Sequence, residues 1–155
     1  MIPGLHKKLP IPKTVPKELQ LKIKQYSKNK NKEEFLKKCF DYVTKNFGGH
    51  RINLFLKFSR LYQNDINKII KTKGYMHCTT MNYLIRIMAI KSKLFTEKDI
   101  KIKLTNTWFI ATHQYLEIKL SKNKKITLDP WNYQFGINYG DIGKGFDSFK
   151  LKPIR

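Results

Sequence analysis

Three side chains in this sequence have the types and the order that thiol-based acyl chemistry needs: Cys78, His113 and Asp129. Cys78 stands where a stretch broken by Gly74 gives way to a long apolar run, GYMHCTTMNYLIRIM. A thiol in the first turn of a helix meets free N–H groups and the positive end of the helix dipole, which favour an anion and lower the thiol pKa. The thiolate is the nucleophile, and the N–H of the same residue supplies half of a site for a tetrahedral oxyanion. His113 lies in a run of alternating character. Phe109, Ala111, His113, Tyr115 and Glu117 fall on one face, and Trp108, Ile110, Leu116, Ile118 and Leu120, with Thr112 and Gln114, fall on the other. The second face is the more apolar and should meet the core, which leaves His113 facing a cleft where an imidazole can take a thiol proton. Asp129 closes the next strand-like run and is the carboxylate placed to orient that imidazole. The hairpin between them decides the matter. A loop of three or five residues puts both side chains on one face, and a loop of two or four puts them on opposite faces.

These residues need a scaffold, and the hydrophobic period outlines one. Residues 1–16, with Pro3, Pro10, Pro12 and Pro16 among lysines, read as an extended arm, either laid across the domain or loose. The remainder, 17–155, reads as a single domain. Residues 17–28 form a short, weakly amphipathic helix. A stronger one follows, with Asn31 as cap, Glu34 completing a capping-box-like pair, and Leu36, Cys39, Phe40, Val43 and Phe47 as its inner stripe. Gly48-Gly49 ends it. Residues 52–72 are mostly helical in pattern, although INLFLKF alternates equally well as a strand. The run 79–91 is apolar on nearly every side, which marks a buried helix; Thr79 or Thr80 can serve its first turn. Past residue 100 the period becomes two: KIKL, TWFIATHQYLEIKL and KKITLD read as strands, the last two joined by the turn Ser121-Lys122-Asn123-Lys124. The tail after Trp131 is rich in glycine and loops. Helices first and an antiparallel sheet second make an α+β domain, with a buried central helix opening at Cys78.

The chain of 155 residues is 41% hydrophobic and 13% aromatic, enough to fill a core. Its net charge of +21 raises a nucleic-acid or other polyanion partner as the rival reading. The charge is spread as about +8, +7 and +6 over successive thirds, and Lys outnumbers Arg 28 to 4, whereas Arg is the side chain suited to bidentate phosphate contacts. A solvated, compositionally biased surface accounts for that pattern better. Two cysteines without CxxC spacing argue for a reducing compartment and against structural zinc. Cys39, on a helical stripe, reads as a small buried hydrophobe. No apolar window is long enough for a membrane span, and the start lacks a signal-peptide core, so the expected location is cytoplasmic. His6 and His50 read as surface residues, and Glu117 as a salt-bridge residue. GDIGKG at 140–145 lacks P-loop spacing and is discounted as a phosphate loop.

Three fragments together carry a family resemblance. GYMHCTTMNYLIRIM resembles the glycine-then-cysteine segment that opens the central helix of transglutaminase-like proteins. HQYLEIKL resembles their His-x-aromatic-x-Glu strand, with Tyr115 where Trp is commoner, and ITLDPW is similar to their Leu-Asp-Pro turn. KEEFLKKCFDYVTKNF resembles the helix preceding that core. The resemblance spans 31–135 and is clearest over 74–131. It implies a papain-like fold in which Cys78 attacks an amide carbonyl, His113 shuttles the proton and Asp129 fixes its tautomer. Hydrolysis, as a cysteine peptidase, amidase or deamidase, is favoured over crosslinking. The implied substrate is a protein, a peptide or a small amide; a non-catalytic nucleic-acid-binding or scaffold domain on the same fold is the alternative. Gln63 and Tyr75 are candidate second oxyanion donors, and Tyr115 and Trp131 candidate cleft residues. His77 either lines the cleft or caps the turn. No cofactor or metal is expected, and the oligomeric state is left open.

Overall fold

The structure is a computed structural model that describes residues 7–49, 63–107 and 111–144. His6, His50, the ambiguous stretch 52–62, Trp108, Phe109, Ile110 and Gly145 lie outside the described residues.

Helix α1 (Lys17–Tyr26) leads into α2 (Lys32–Asn46), whose start is fixed as its sequence suggests: Asn31 Oδ1 accepts from the N–H groups of Glu33 and Glu34, both at 3.0 Å. Helix α1 ends two residues sooner than its pattern predicted. Glu34 does not complete a capping box; its carboxylate accepts from Lys38 one turn on, an i,i+4 pair that solvent leaves accessible. Leu36, Cys39, Phe40 and Val43 are buried as the stripe requires, and Phe35 joins them.

Instead of simply ending at Gly48-Gly49, α2 runs into β1 (Phe47–Gly48), which pairs in parallel with β2 (Gly74–Tyr75). Met76 N–H donates to the Gly48 carbonyl at 3.0 Å and extends the clip. The end of α2 thereby holds the segment that delivers Cys78. Within the described part of 52–72, only α3 (Ile66–Lys71) is helical, capped by the Asp65 carboxylate.

Helix α4 (Cys78–Lys91) is the central helix. Its all-round apolar character has a structural reason: α2 packs on one side, the sheet on another, and the N-terminal arm on a third. Tyr83 Oη donates to the Pro10 carbonyl (2.8 Å), Arg86 to the Leu9 carbonyl (3.2 Å), and Lys91 to the Lys13 carbonyl (2.8 Å). The described part of the arm, residues 7–16, is therefore laid over the middle and C-terminal part of α4. Arg86, 2% exposed, also grips Glu97, joining arm, helix and the short 3-10 turn Glu97–Asp99 that precedes the sheet.

The sheet has the antiparallel order β3 (Ile100–Thr107), β4 (Ala111–Lys119), β5 (Lys125–Leu128). The mixed architecture is α+β, helices first and sheet second. Thr107, expected to open the second strand, belongs to β3. Lys119 pairs with Lys125, so the connection is the five residues 120–124 and not the four of the expected turn. That odd number has a consequence for the site. Leu116 opposite Leu128 puts Tyr115 opposite Asp129, and His113 shares the face of both as a diagonal neighbour. Leu116, Ile118 and Leu128 line the opposite, buried face.

Candidate active site

Cys78 begins α4, with His77 at the N-cap position. His77 does not cap the turn. Its ring makes no capping bond and lies beside Tyr75, whose hydroxyl is 3.1 Å from His77 Nδ1. With no side-chain cap at this end, the Cys78 N–H is not consumed by one.

His113 and Asp129 meet at 2.7 Å, His113 Nε2 donating to Asp129 Oδ1. The Cys78 side chain is close enough to the same imidazole to help hold its proton. Cys78, His113 and Asp129 are 7%, 4% and 0% exposed, so the three groups meet in the interior. His113 is buried, and the 3-10 turn that follows Pro130 (Trp131–Phe135) lies against it. The Trp131 ring lies 5.5 Å from the imidazole, tilted by 46°.

Asp129 is held from three sides. Asn132 donates to it twice, from Nδ2 to Oδ2 (2.8 Å) and from its backbone N–H to Oδ1 (3.3 Å), and the Gly143 N–H donates to Oδ2 (3.0 Å). The GDIGKG stretch, unpromising as a phosphate loop, thus contributes a backbone donor to this carboxylate. Burial opposes the charge on Asp129, but the His113 imidazolium and these donors outweigh it and hold the carboxyl below its ordinary value. Burial likewise opposes a charged His113. The Asp129 carboxylate, its bond to the imidazole and the nearby Cys78 prevail, raising its pKa to about 10. The imidazole therefore carries its proton through the neutral range. Cys39, by contrast, is wholly buried in the α2 stripe, and burial pushes its thiol well up.

The remaining candidates divide. Gln63, Tyr75 and His77 line one pocket of about 310 Å³ together with Thr80, against the start of α4. Gln63 Oε1 accepts from the Asp65 N–H at 3.3 Å. Burial raises the Tyr75 hydroxyl pKa, and the nearby Cys78 adds to it. Tyr115 is half-buried on the His113 face opposite Lys103, and no described interaction ties it to the three central groups. Glu117 pairs with Lys125 at 3.5 Å.

Asn82, Asn132 and Gly143 were not legible as site residues. Asn82 donates from Nδ2 to the Gln114 carbonyl (2.8 Å), pinning α4 to β4 beside His113. A single amide in an otherwise apolar helix, one turn after the cysteine, was the available signal for it. Nothing local marks the other two. Among the described residues no group of three or more His, Cys, Asp or Glu is gathered to hold a metal ion, and no helix is long and apolar enough to cross a membrane. Set against known families, curated proteins and solved structures, the chain gives no significant match to any.

Proposed function

We propose that this protein is a transglutaminase-like thiol enzyme acting on amide or related acyl groups, with Cys78 as nucleophile, His113 as proton carrier and Asp129 as orienting carboxylate. One observation carries the proposal: a single buried imidazole is hydrogen-bonded to a carboxylate and has a thiol near enough to help hold its proton. In the proposed reaction the Cys78 proton resides on His113, and the sulfur attacks the acyl carbon. A C–S bond forms as the carbonyl electron pair moves to oxygen, which meets the Cys78 N–H at the uncapped helix end. Collapse breaks the C–N bond, and His113 passes its proton to the departing amine. Water then attacks the thioester, His113 takes a proton from it, and the sulfur leaves as the acid is released. Hydrolysis is favoured over crosslinking because water needs no acceptor site of its own.

The test is iodoacetamide alkylation of Cys78 against pH, followed by peptide mass spectrometry so that Cys39 is counted separately. A free thiol is only about 1/300 thiolate at pH 6. An activated pair keeps the rate at pH 6 within about tenfold of its plateau, and His113→Ala removes that advantage. A rate that follows the free-thiol curve in both proteins overturns the proposal.

A further inference from the structure

We propose that the pocket beside Cys78 is a substrate subsite selecting an acyl side chain that ends in a carboxylate, with Lys68 and Lys71 as its cationic rim. The inference deepens the thiol-enzyme reading above and rests on it.

The pocket, about 310 Å³, lies between α3 and the segment that leads into α4. This is within the usual range for small-molecule sites. One wall is made by Tyr75, His77 and Thr80, residues that flank Cys78 in the chain, and the Tyr75 hydroxyl is near enough to Cys78 to feel its charge. Ile69 and Met76, both buried, supply apolar surface that would contact the methylene part of a side chain. Lys68 and Lys71, three residues apart on α3, share one side of that helix at the pocket. Among the described residues neither is in an ion pair, and no carboxylate lines the pocket to neutralise them. Their positive charge is therefore available to a ligand.

A second observation is independent of charge. The Thr80 hydroxyl is buried and, among the described residues, has no hydrogen-bond partner. A hydroxyl in that position is a donor lacking an acceptor, and an ionised carboxylate is an acceptor with no hydrogen of its own to place. Apolar contacts, one unused donor and two cations define a short aliphatic chain with an anionic end. A cationic side chain would face both lysines, and a purely apolar one would desolvate them without compensation.

Two electrophiles test this: the α-amide of N-iodoacetyl-glutamate and N-iodoacetyl-glutamine amide, which differ only in the charged or neutral end of the side chain and share the reacting group. In each the Cys78 sulfur displaces iodide, forming an S–C bond as the C–I bond breaks. Iodoacetamide serves as the small reference that reports the state of the Cys78–His113 pair alone. The expected result is saturable labelling by the glutamate reagent, preferred over the glutamine reagent by about tenfold at low salt. Lys68→Glu/Lys71→Glu abolishes the preference and leaves the iodoacetamide rate within about twofold. Lys24→Glu/Lys28→Glu, an equal change in net charge on α1 and the residues after it, leaves the preference intact. Thr80→Val weakens saturation by the glutamate reagent and not by the glutamine reagent. No preference, or a preference that both double variants reduce equally, overturns the subsite while the iodoacetamide profile still stands. Loss of the His113 dependence of the iodoacetamide rate would instead remove the enzyme reading beneath it.

Discussion

Asn82 Nδ2 donates to the Gln114 carbonyl at 2.8 Å, so the residue one turn beyond Cys78 is bonded to the residue next to His113. This bond fixes the slide of α4 along β4 at the level of Cys78 and His113. Asn82→Ala leaves a buried carbonyl without its donor and should cost about 1–3 kcal/mol. In a chain of this size each kcal/mol lowers Tm by roughly 2–4 °C. The specific expectation is that Cys78 alkylation at pH 6 falls along with Tm. A variant that loses stability but retains the alkylation profile would show that the bond serves packing alone.

Gly143 approaches Asn132 so closely that a Cβ would stand 2.4 Å from Asn132 Nδ2. Gly143→Ala should therefore displace the amide that donates to Asp129 Oδ2. A destabilisation of about 1–3 kcal/mol follows from the disturbed buried network. Asp129 would also hold His113 less well, and the imidazole should titrate lower. The His113 ring signals in an NMR pH titration read this directly, compared with wild type.

Gly49 bears the same relation to Trp131. A Cβ there would lie 2.3 Å from the indole ring, which cannot bend aside as a flexible chain can. Gly49→Ala should lower Tm by more than Gly143→Ala and shift Trp131 from its place against His113. The combined variant Gly49→Ala/Trp131→Leu should recover part of the loss, because a smaller side chain makes room for the methyl group. Strict additivity of the two substitutions in a double-mutant cycle would disprove the contact.

The pH dependence of stability has a defined sign. Folded His113 keeps its proton to about pH 10, whereas an exposed histidine releases it near 6.5. The folded state binds that proton more tightly, so the stabilisation is complete below about pH 6.5 and is lost as pH rises through about 10. Asp129 acts in the opposite sense: its share is present above the ordinary carboxyl value of 3.8 and is lost as pH falls through its lowered folded value. Urea midpoints should fall between about pH 6.5 and about 10 in the wild type and fall less steeply in His113→Gln. Parallel slopes in the two proteins would contradict the coupling.

Much of the scaffold was legible locally because it is set by local physics. The Asn31 cap and the buried stripe of α2 follow from helix-end hydrogen bonding and a 3.6-residue period. The all-round apolar run identified α4 as a central helix, and the change to period two located β4 and β5. The chain order Cys78, His113, Asp129 could be read directly as well.

What the linear sequence left open was everything that depends on a count or an approach across space. Whether His113 and Asp129 share a face turned on one residue more or less in the loop 120–124, because side chains alternate with a period of two. Composition alone could not say whether residues 7–16 of the arm lie on the domain. Hydrogen bonds from Tyr83, Arg86 and Lys91 to its carbonyls decide that. Asn132 and Gly143 reach Asp129 only because the tail folds back over β5, and Gly49 matters only because Trp131 stacks where a methyl group would stand. Sequence by itself determined which residues have the chemistry and which elements carry them. Tertiary structure decided which of them meet, since contacts between residues distant in the chain follow from register and packing and leave no local pattern.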